Sequence, residues 1–156
     1  MILIAHRGNT HGPKPLLENN PGYIDAAIKM GYDVEIDVWK VGEKYYLGHD
    51  FPTWESQTNF IHPVDVEWLI ERKEHLWVHC KNNAALAALH VDLHTFFHDT
   101  DDYTLTSQNY IWAYPGKIVP SNSRAITVAK DKNYPWEEQG FAGVCSDYIA
   151  SYREDI

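Results

Sequence analysis

The stretch Asp33-Val-Glu-Ile-Asp-Val-Trp-Lys-Val-Gly-Glu-Lys-Tyr-Tyr-Leu-Gly-His-Asp50 sets acidic residues where a sheet is usually apolar and closes on a His-Asp pair. From Asp33 to Trp39 the pattern alternates strictly, with Val34, Ile36 and Val38 on one face and Asp33, Glu35 and Asp37 on the other. That period of two is the signature of a strand. Same-face neighbours on a strand lie about 6.6 Å apart at a rise of about 3.3 Å per residue, so Glu35 and Asp37 repel unless something positive lies between them. A bound cation answers that repulsion. An isolated Glu-x-Asp is also what a solvated surface strand shows, so the rest of the chain must decide.

Upstream, Ile2 to Ala5 is a short apolar run ending at His6-Arg7-Gly8, a buried strand whose polar residues emerge at its C-terminal end. Residues 8 to 22, rich in Gly, Pro and Asn, form a loop. Tyr23 to Met30 reads as a helix stopped by Gly31, with Asn19 or Asn20 as its cap and Pro21 in its first turn. After the anionic strand, Gly42-Glu43 makes a tight turn and Lys44 to Leu47 a third strand that delivers His49 and Asp50.

Downstream, Val64 to Lys73 has the spacing of an amphipathic helix, and Leu76 to Lys81 that of a strand with His79 and Lys81 on one face. Ala84 to Val91 reads as a short helix and Leu93 to Phe97 as a strand. Helix and strand alternating over the first hundred residues predict a parallel sheet. Beyond Asp99, three strand-like runs (103 to 106, 110 to 114 and 125 to 128) and a last strand, Phe141 to Ile149, follow without a helix of ordinary length. Phe96, Phe97, Tyr110, Trp112, Tyr114, Trp136 and Phe141 either fold over these late strands or form a subunit interface; a homodimer is the expectation.

At 156 residues and 44% hydrophobic composition, residues 1–156 are expected to form a single domain with its own core. A net charge of −9 argues against nucleic acid or an anionic membrane surface as the main partner. Cys80 and Cys145 sit in apolar runs and read as buried thiols in a reducing compartment. The four apolar residues before His6 are too few for a signal peptide or a membrane span, so the expected location is cytoplasmic.

His6, Glu35, Asp37, His49, His79 and Lys81 all fall at or near C-terminal ends of predicted strands, which a parallel sheet brings together. Two imidazoles serve as general acid and base near neutral pH. Two carboxylates hold a divalent cation, and Arg7 with Lys81 neutralises a phosphate.

His6-Arg7-Gly8, Glu18-Asn19, Glu35-x-Asp37 and His49-Asp50, in this order and with similar spacings, resemble the glycerophosphodiester phosphodiesterase family of the phospholipase-C-like superfamily. The likeness is closest over residues 2 to 51. Weaker likenesses follow at Cys80-Lys81, at Gly143 to Asp147, and at Trp112, which corresponds to a tryptophan-bearing strand at the barrel mouth. The resemblance implies an α/β fold, a compact (β/α)8-type barrel. It implies a metal-dependent phosphodiesterase taking a small-molecule phosphodiester, with water or a neighbouring substrate hydroxyl as nucleophile, the second giving a cyclic phosphate.

Under that resemblance His6 and His49 are the acid and base, Arg7 and Lys81 bind phosphate, and Glu35 and Asp37 hold one divalent cation (Mg²⁺, Mn²⁺, Ca²⁺ or Zn²⁺). Glu18 positions Arg7 and its loop, and Asp50 either orients His49 or caps the loop. Two departures stand out. His79 occupies the place of a third acidic ligand, which makes Glu35, Asp37 and His79 the expected metal set and favours a transition metal. Eight βα units usually need about 250 residues and at least about 200, so several outer helices must be short or missing. A binding module that has lost turnover on the same scaffold is the alternative that these departures raise.

Overall fold

The parallel strands run as a single curled sheet around which the site is built. A computed structural model describes residues 1–53, 61–120 and 124–153. Its strands are β1 (Ile2–His6), β2 (Asp33–Val41), β3 (Lys44–Leu47), β4 (His62–Val64), β5 (Leu76–Cys80), β6 (Thr95–Phe96), β7 (Tyr103–Leu105), β8 (Ile111–Ala113), β9 (Ala125–Ala129) and β10 (Gly143–Ser146). Parallel pairing links β6, β5, β2, β1, β10, β9 and β8 in that order. The hairpin extension β3–β4 is antiparallel to β2, and β7 is antiparallel to β8.

The sheet curls until its ends face each other. Phe96 of β6 and Trp112 of β8, at opposite ends of the parallel run, stack with ring centroids 4.5 Å apart. With Ile4, Trp77, Ile126 and Cys145 they form an inner core that receives a side chain from each of six strands. Between β6 and β8 the described residues show no strand ladder. Instead the Ser107 amide donates to the Thr95 carbonyl at 2.8 Å and the Thr95 amide to Ser107 Oγ at 2.8 Å. Among the described residues the fold is thus a mixed α/β curled sheet with few helices, similar to a barrel, without the complete ring of eight βα units that the resemblance implies.

Period-two alternation assigns the faces. Val34, Ile36 and Val38 point outward into a second core with Ile24 and Ala27 of α1 (Pro21–Lys29), Leu69 of α2 (Val66–Glu71) and Leu89 of α3 (Asn83–Leu89). Asn20, rather than Asn19, caps α1, its side chain accepting from the Gly22 and Tyr23 amides at 2.9 and 3.3 Å. Three boundaries differ from the sequence reading. His62 to Val64 pairs with β3, so α2 begins only at Val66; β6 is two residues long; and the last strand stops at Ser146, with Ile149–Tyr152 a 3₁₀ turn. In each case a pairing partner or a turn ended a run that hydrophobicity alone would have continued.

Beyond β6 no α-helix covers the sheet among the described residues. Trp136, Phe141, Ile149 and Tyr152 are buried against its outer face instead. This accounts for much of the late aromatic content within the chain: Phe96, Trp112, Trp136 and Phe141 are buried, while Phe97 and Tyr114 stay exposed. No helix among the described residues is long and apolar enough to cross a membrane.

At Gly143 the β1 backbone approaches β10 closely. A Cβ there would lie 2.4 Å from the Ile2 carbonyl oxygen and 2.9 Å from Ile126 Cδ1. Backbone cannot yield as a side chain end can, so Gly143→Ala is expected to cost about 2 kcal/mol or more of overpacking. Urea denaturation checks this; a midpoint within error of the wild type would show that β1 and β10 can separate freely.

Candidate active site

β1, β2, β5 and β10 carry polar residues near or just beyond their C-terminal ends, and the curl turns these ends toward one another. β1 ends at His6, after which the backbone reverses sharply: Arg7 has φ +54° and Gly8 φ +89°. A Cβ on Gly8 would lie 2.7 Å from Tyr23 Cδ2, so glycine is needed there for space as well as for conformation. The turn brings His6 and Arg7 over the anionic face of β2. His6, Arg7, Glu35, Asp37, His49, His79 and Lys81 all line one cavity of about 420 Å³.

Glu35 and Asp37 are 2% and 1% exposed, so the pair lies in the interior and is not a solvated surface strand. Asp37 is held from every side. Asn19 donates from Nδ2 to Asp37 Oδ2 at 3.0 Å and accepts from the Asp37 amide at 2.9 Å. Arg7 Nε lies 3.1 Å from Asp37 Oδ2, and His79 Nδ1 3.2 Å from Asp37 Oδ1. Burial works against its ionisation, but the His79 and Arg7 contacts and the Asn19 amide outweigh it and hold its pKa below the usual carboxylate range. Glu35 behaves oppositely. Burial, reinforced by the charge of Asp37, raises its pKa, and His6, His79 and Arg7 offset this only in part. Glu35 Oε2 is buried without a hydrogen-bond partner among the described residues.

His79 is oriented from behind. Its Nε2 lies 3.2 Å from the His98 carbonyl oxygen. A carbonyl only accepts, so Nε2 carries the hydrogen, and Nδ1 faces the carboxylates either as a donor to Asp37 or, without its proton, as a metal ligand. Ligand atoms of Glu35, Asp37 and His79 all lie within 4.8 Å of one another. The two carboxylates, one with an oxygen that lacks a hydrogen-bond partner, and the oriented imidazole are a donor set that fits a divalent cation.

The remaining expected residues take distinct places. His6 Nδ1 is 2.8 Å from Asp147 Oδ1, while its Nε2 lies 3.7 Å from Glu35 Oε2 on the cavity side. Burial alone would lower the His6 pKa; the Asp147 hydrogen bond and the Glu35 charge outweigh it, and the pKa is raised. Glu18 bonds Arg7 at 3.2 Å and does not line the cavity, a supporting position. His49 is half-exposed, with Nδ1 2.9 Å from Asp50 Oδ1. Its loop is tied to the site because the Gly48 amide donates to the Asp37 carbonyl at 3.1 Å and Trp39 Nε1 to the Gly48 carbonyl at 3.0 Å.

Sequence reasoning did not assign Asp147, Asn9, Asn19 or His98 to the site. Asn9 donates to Asp147 Oδ1 at 2.8 Å and receives the Tyr23 hydroxyl at 3.1 Å, fixing the carboxylate behind His6. A signal was present for Asp147, which directly follows its strand as Arg7 follows β1. Nothing local marks Asn19, whose role depends on its φ of +61° and on β2 passing beside it.

The curled sheet, with its acidic pair and two histidines at one end, can be compared with known folds. No family model matches the chain, and no curated protein matches it. Among solved structures, a glycerophosphodiester phosphodiesterase from Parabacteroides distasonis superposes with a TM-score of 0.61, covering 99% of this chain and 96% of that one. The chain is folded like a glycerophosphodiester phosphodiesterase. A second such enzyme, from Thermotoga maritima, superposes with a TM-score of 0.52 over 100% of this chain and 99% of that one. Identities of 9% and 12% make this a likeness of fold to glycerophosphodiester phosphodiesterases, and the chemistry rests on the side chains described above.

The Asn19 clamp yields a direct test. Asn19→Ala leaves the Asp37 amide and one carboxylate oxygen without their partner and sets alanine at positive φ. A loss of about 1–3 kcal/mol in denaturant unfolding is expected; a change below about 0.5 kcal/mol would show that Asn19 does not hold Asp37.

Proposed function

We propose that the chain is a metal-dependent phosphodiesterase that cleaves a glycerophosphodiester-like substrate. The observation that carries this reading is the buried Glu35–Asp37 pair facing His79, in a cavity that also presents the cations Arg7, Lys81 and Lys130 and the further histidines His6, His49 and His98. A site built only to bind phosphate has no use for two buried carboxylates, which repel the ligand.

Glu35, Asp37 and His79 hold the ion. The cation, when bound, polarises the phosphoryl oxygens and offsets the charge that develops on them. Arg7, braced by Glu18 and Asp37, and Lys81 on the neighbouring β5 end bind the phosphate oxygens and orient the diester. His6 and His49 share proton transfer, one deprotonating the nucleophile and the other protonating the leaving alcohol. Asp147 fixes the His6 ring so that Nε2 faces the cavity, and Asp50 stands in the same relation to His49.

Hydrolysis of bis(p-nitrophenyl) phosphate with a metal panel tests the assignment. His6→Ala and His49→Ala are each expected to lower turnover about 10²-fold or more with little change in folding stability. Full activity in both would remove this mechanism. His79 supplies a neutral nitrogen where an acidic ligand would carry charge, so Mn²⁺ or Zn²⁺ should support activity better than Ca²⁺, and His79→Glu should move the preference toward Mg²⁺ or Ca²⁺. An unchanged metal ranking in calorimetric titration of that variant would take His79 out of the site.

A further inference from the structure

Three strands deliver a cation at the first position beyond their C-terminal ends: β1 delivers Arg7, β5 delivers Lys81 and β9 delivers Lys130. All three line the same cavity. The phosphodiesterase reading uses the first two. Arg7 is already answered in part by Asp37 at 3.1 Å and Glu18 at 3.2 Å, and Lys81 supplies a positive charge for a phosphodiester, which carries one negative charge. Lys130 is left over.

Among the described residues no carboxylate lies within ion-pair distance of Lys130, although the chain has 22 acidic residues against 13 basic ones. Its Nζ stands 5.4 Å from the centre of the Tyr114 ring, on the side of the cavity that Trp112, Tyr114 and Pro115 also line. That side is mainly aromatic surface carrying a cation with no carboxylate in ion-pair distance among the described residues; besides Glu35 and Asp37, the one carboxylate among the residues lining the cavity is Asp99. Aromatic surface seats the carbon body of an alcohol, and a cation above it selects what that alcohol carries.

We propose that Lys130 reads the leaving alcohol, and that the preferred substrate is a phosphodiester whose alcohol carries a second anionic group, such as a phosphate monoester. This rests on the phosphodiesterase reading and deepens it. The same cation repels alcohols with a quaternary or primary ammonium, so choline and ethanolamine diesters are poor substrates. Because Lys130 is exposed, its contribution is screened by salt and falls as ionic strength rises toward 0.5 M.

Glycerophosphoinositol and glycerophosphoinositol 4-phosphate isolate the feature, since they differ by one phosphate. With the metal that best supports bis(p-nitrophenyl) phosphate hydrolysis, the wild type is expected to favour the 4-phosphate at least about tenfold in kcat/KM. Lys130→Ala should bring the ratio to about one, Lys130→Glu below one, and Lys130→Arg should retain most of it. Lys132→Ala, a neighbouring cation placed over Tyr148 and outside this cavity, should leave the ratio as it is. A wild-type ratio at or below one, or a ratio that Lys130→Ala does not move, overturns the proposal while leaving the phosphodiesterase reading intact. Failure to cleave any of these diesters with any metal overturns both.

Discussion

Two carboxylates on the same face of β2, both turned into the interior, are the constraint on which the rest of this structure depends. Burial raises the cost of each charge, and proximity raises it again. The surroundings divide the load unequally. Asp37 is ringed by Asn19, Arg7 and His79 and is held ionised, whereas Glu35 keeps a buried oxygen without a hydrogen-bond partner, 3.7 Å from His6 Nε2, and is pushed toward its neutral form. The arrangement is incomplete without a positive charge between them, and that incompleteness is what the proposed metal site uses.

The architecture around the pair follows from the same need. Carboxylates can be buried only if positive and hydrogen-bonding groups arrive from several directions, and parallel strands bring such groups because their C-terminal ends converge. Curling the sheet sets β1, β5 and β10 around β2, so that His6, His79 and Asp147 come from separate strands. The chain does this with few helices. Where an outer helix would lie after β9, Trp136 and Phe141 from an irregular segment are buried against the sheet together with Ile149 and Tyr152. The aromatic side chains give area that a helix would otherwise supply.

Much of the site was legible because strand periodicity is local. The alternation from Asp33 to Val38 fixed which residues face inward, and His79 and Lys81 followed by the same rule on β5. A parallel sheet was legible from helix–strand alternation up to Phe96; its curling was implied only by the family resemblance. What sequence did not yield depended on pairing between distant segments. His62 to Val64 forms a strand because β3 lies beside it, which takes Val64 out of the helix that its spacing predicts. Asn19 reaches Asp37 through a backbone turn that no hydrophobic pattern encodes. Asp147 was visible as the end of a strand but not as the partner of His6, since 141 residues separate them.

Thermal unfolding of wild type and Glu35→Gln, each with and without Mn²⁺ at about a hundred times its Kd, measures whether the buried carboxylate pair holds a metal. Saturation at that level stabilises a folded protein by about 2.7 kcal/mol, or several degrees in a chain of this size. The metal is expected to raise the wild-type Tm by that amount, while Glu35→Gln is expected to be more stable than the wild type without metal, because the repulsion is gone, and to gain little from Mn²⁺. A wild-type Tm indifferent to every divalent ion, with Glu35→Gln no more stable than the parent, would contradict a metal site at this pair.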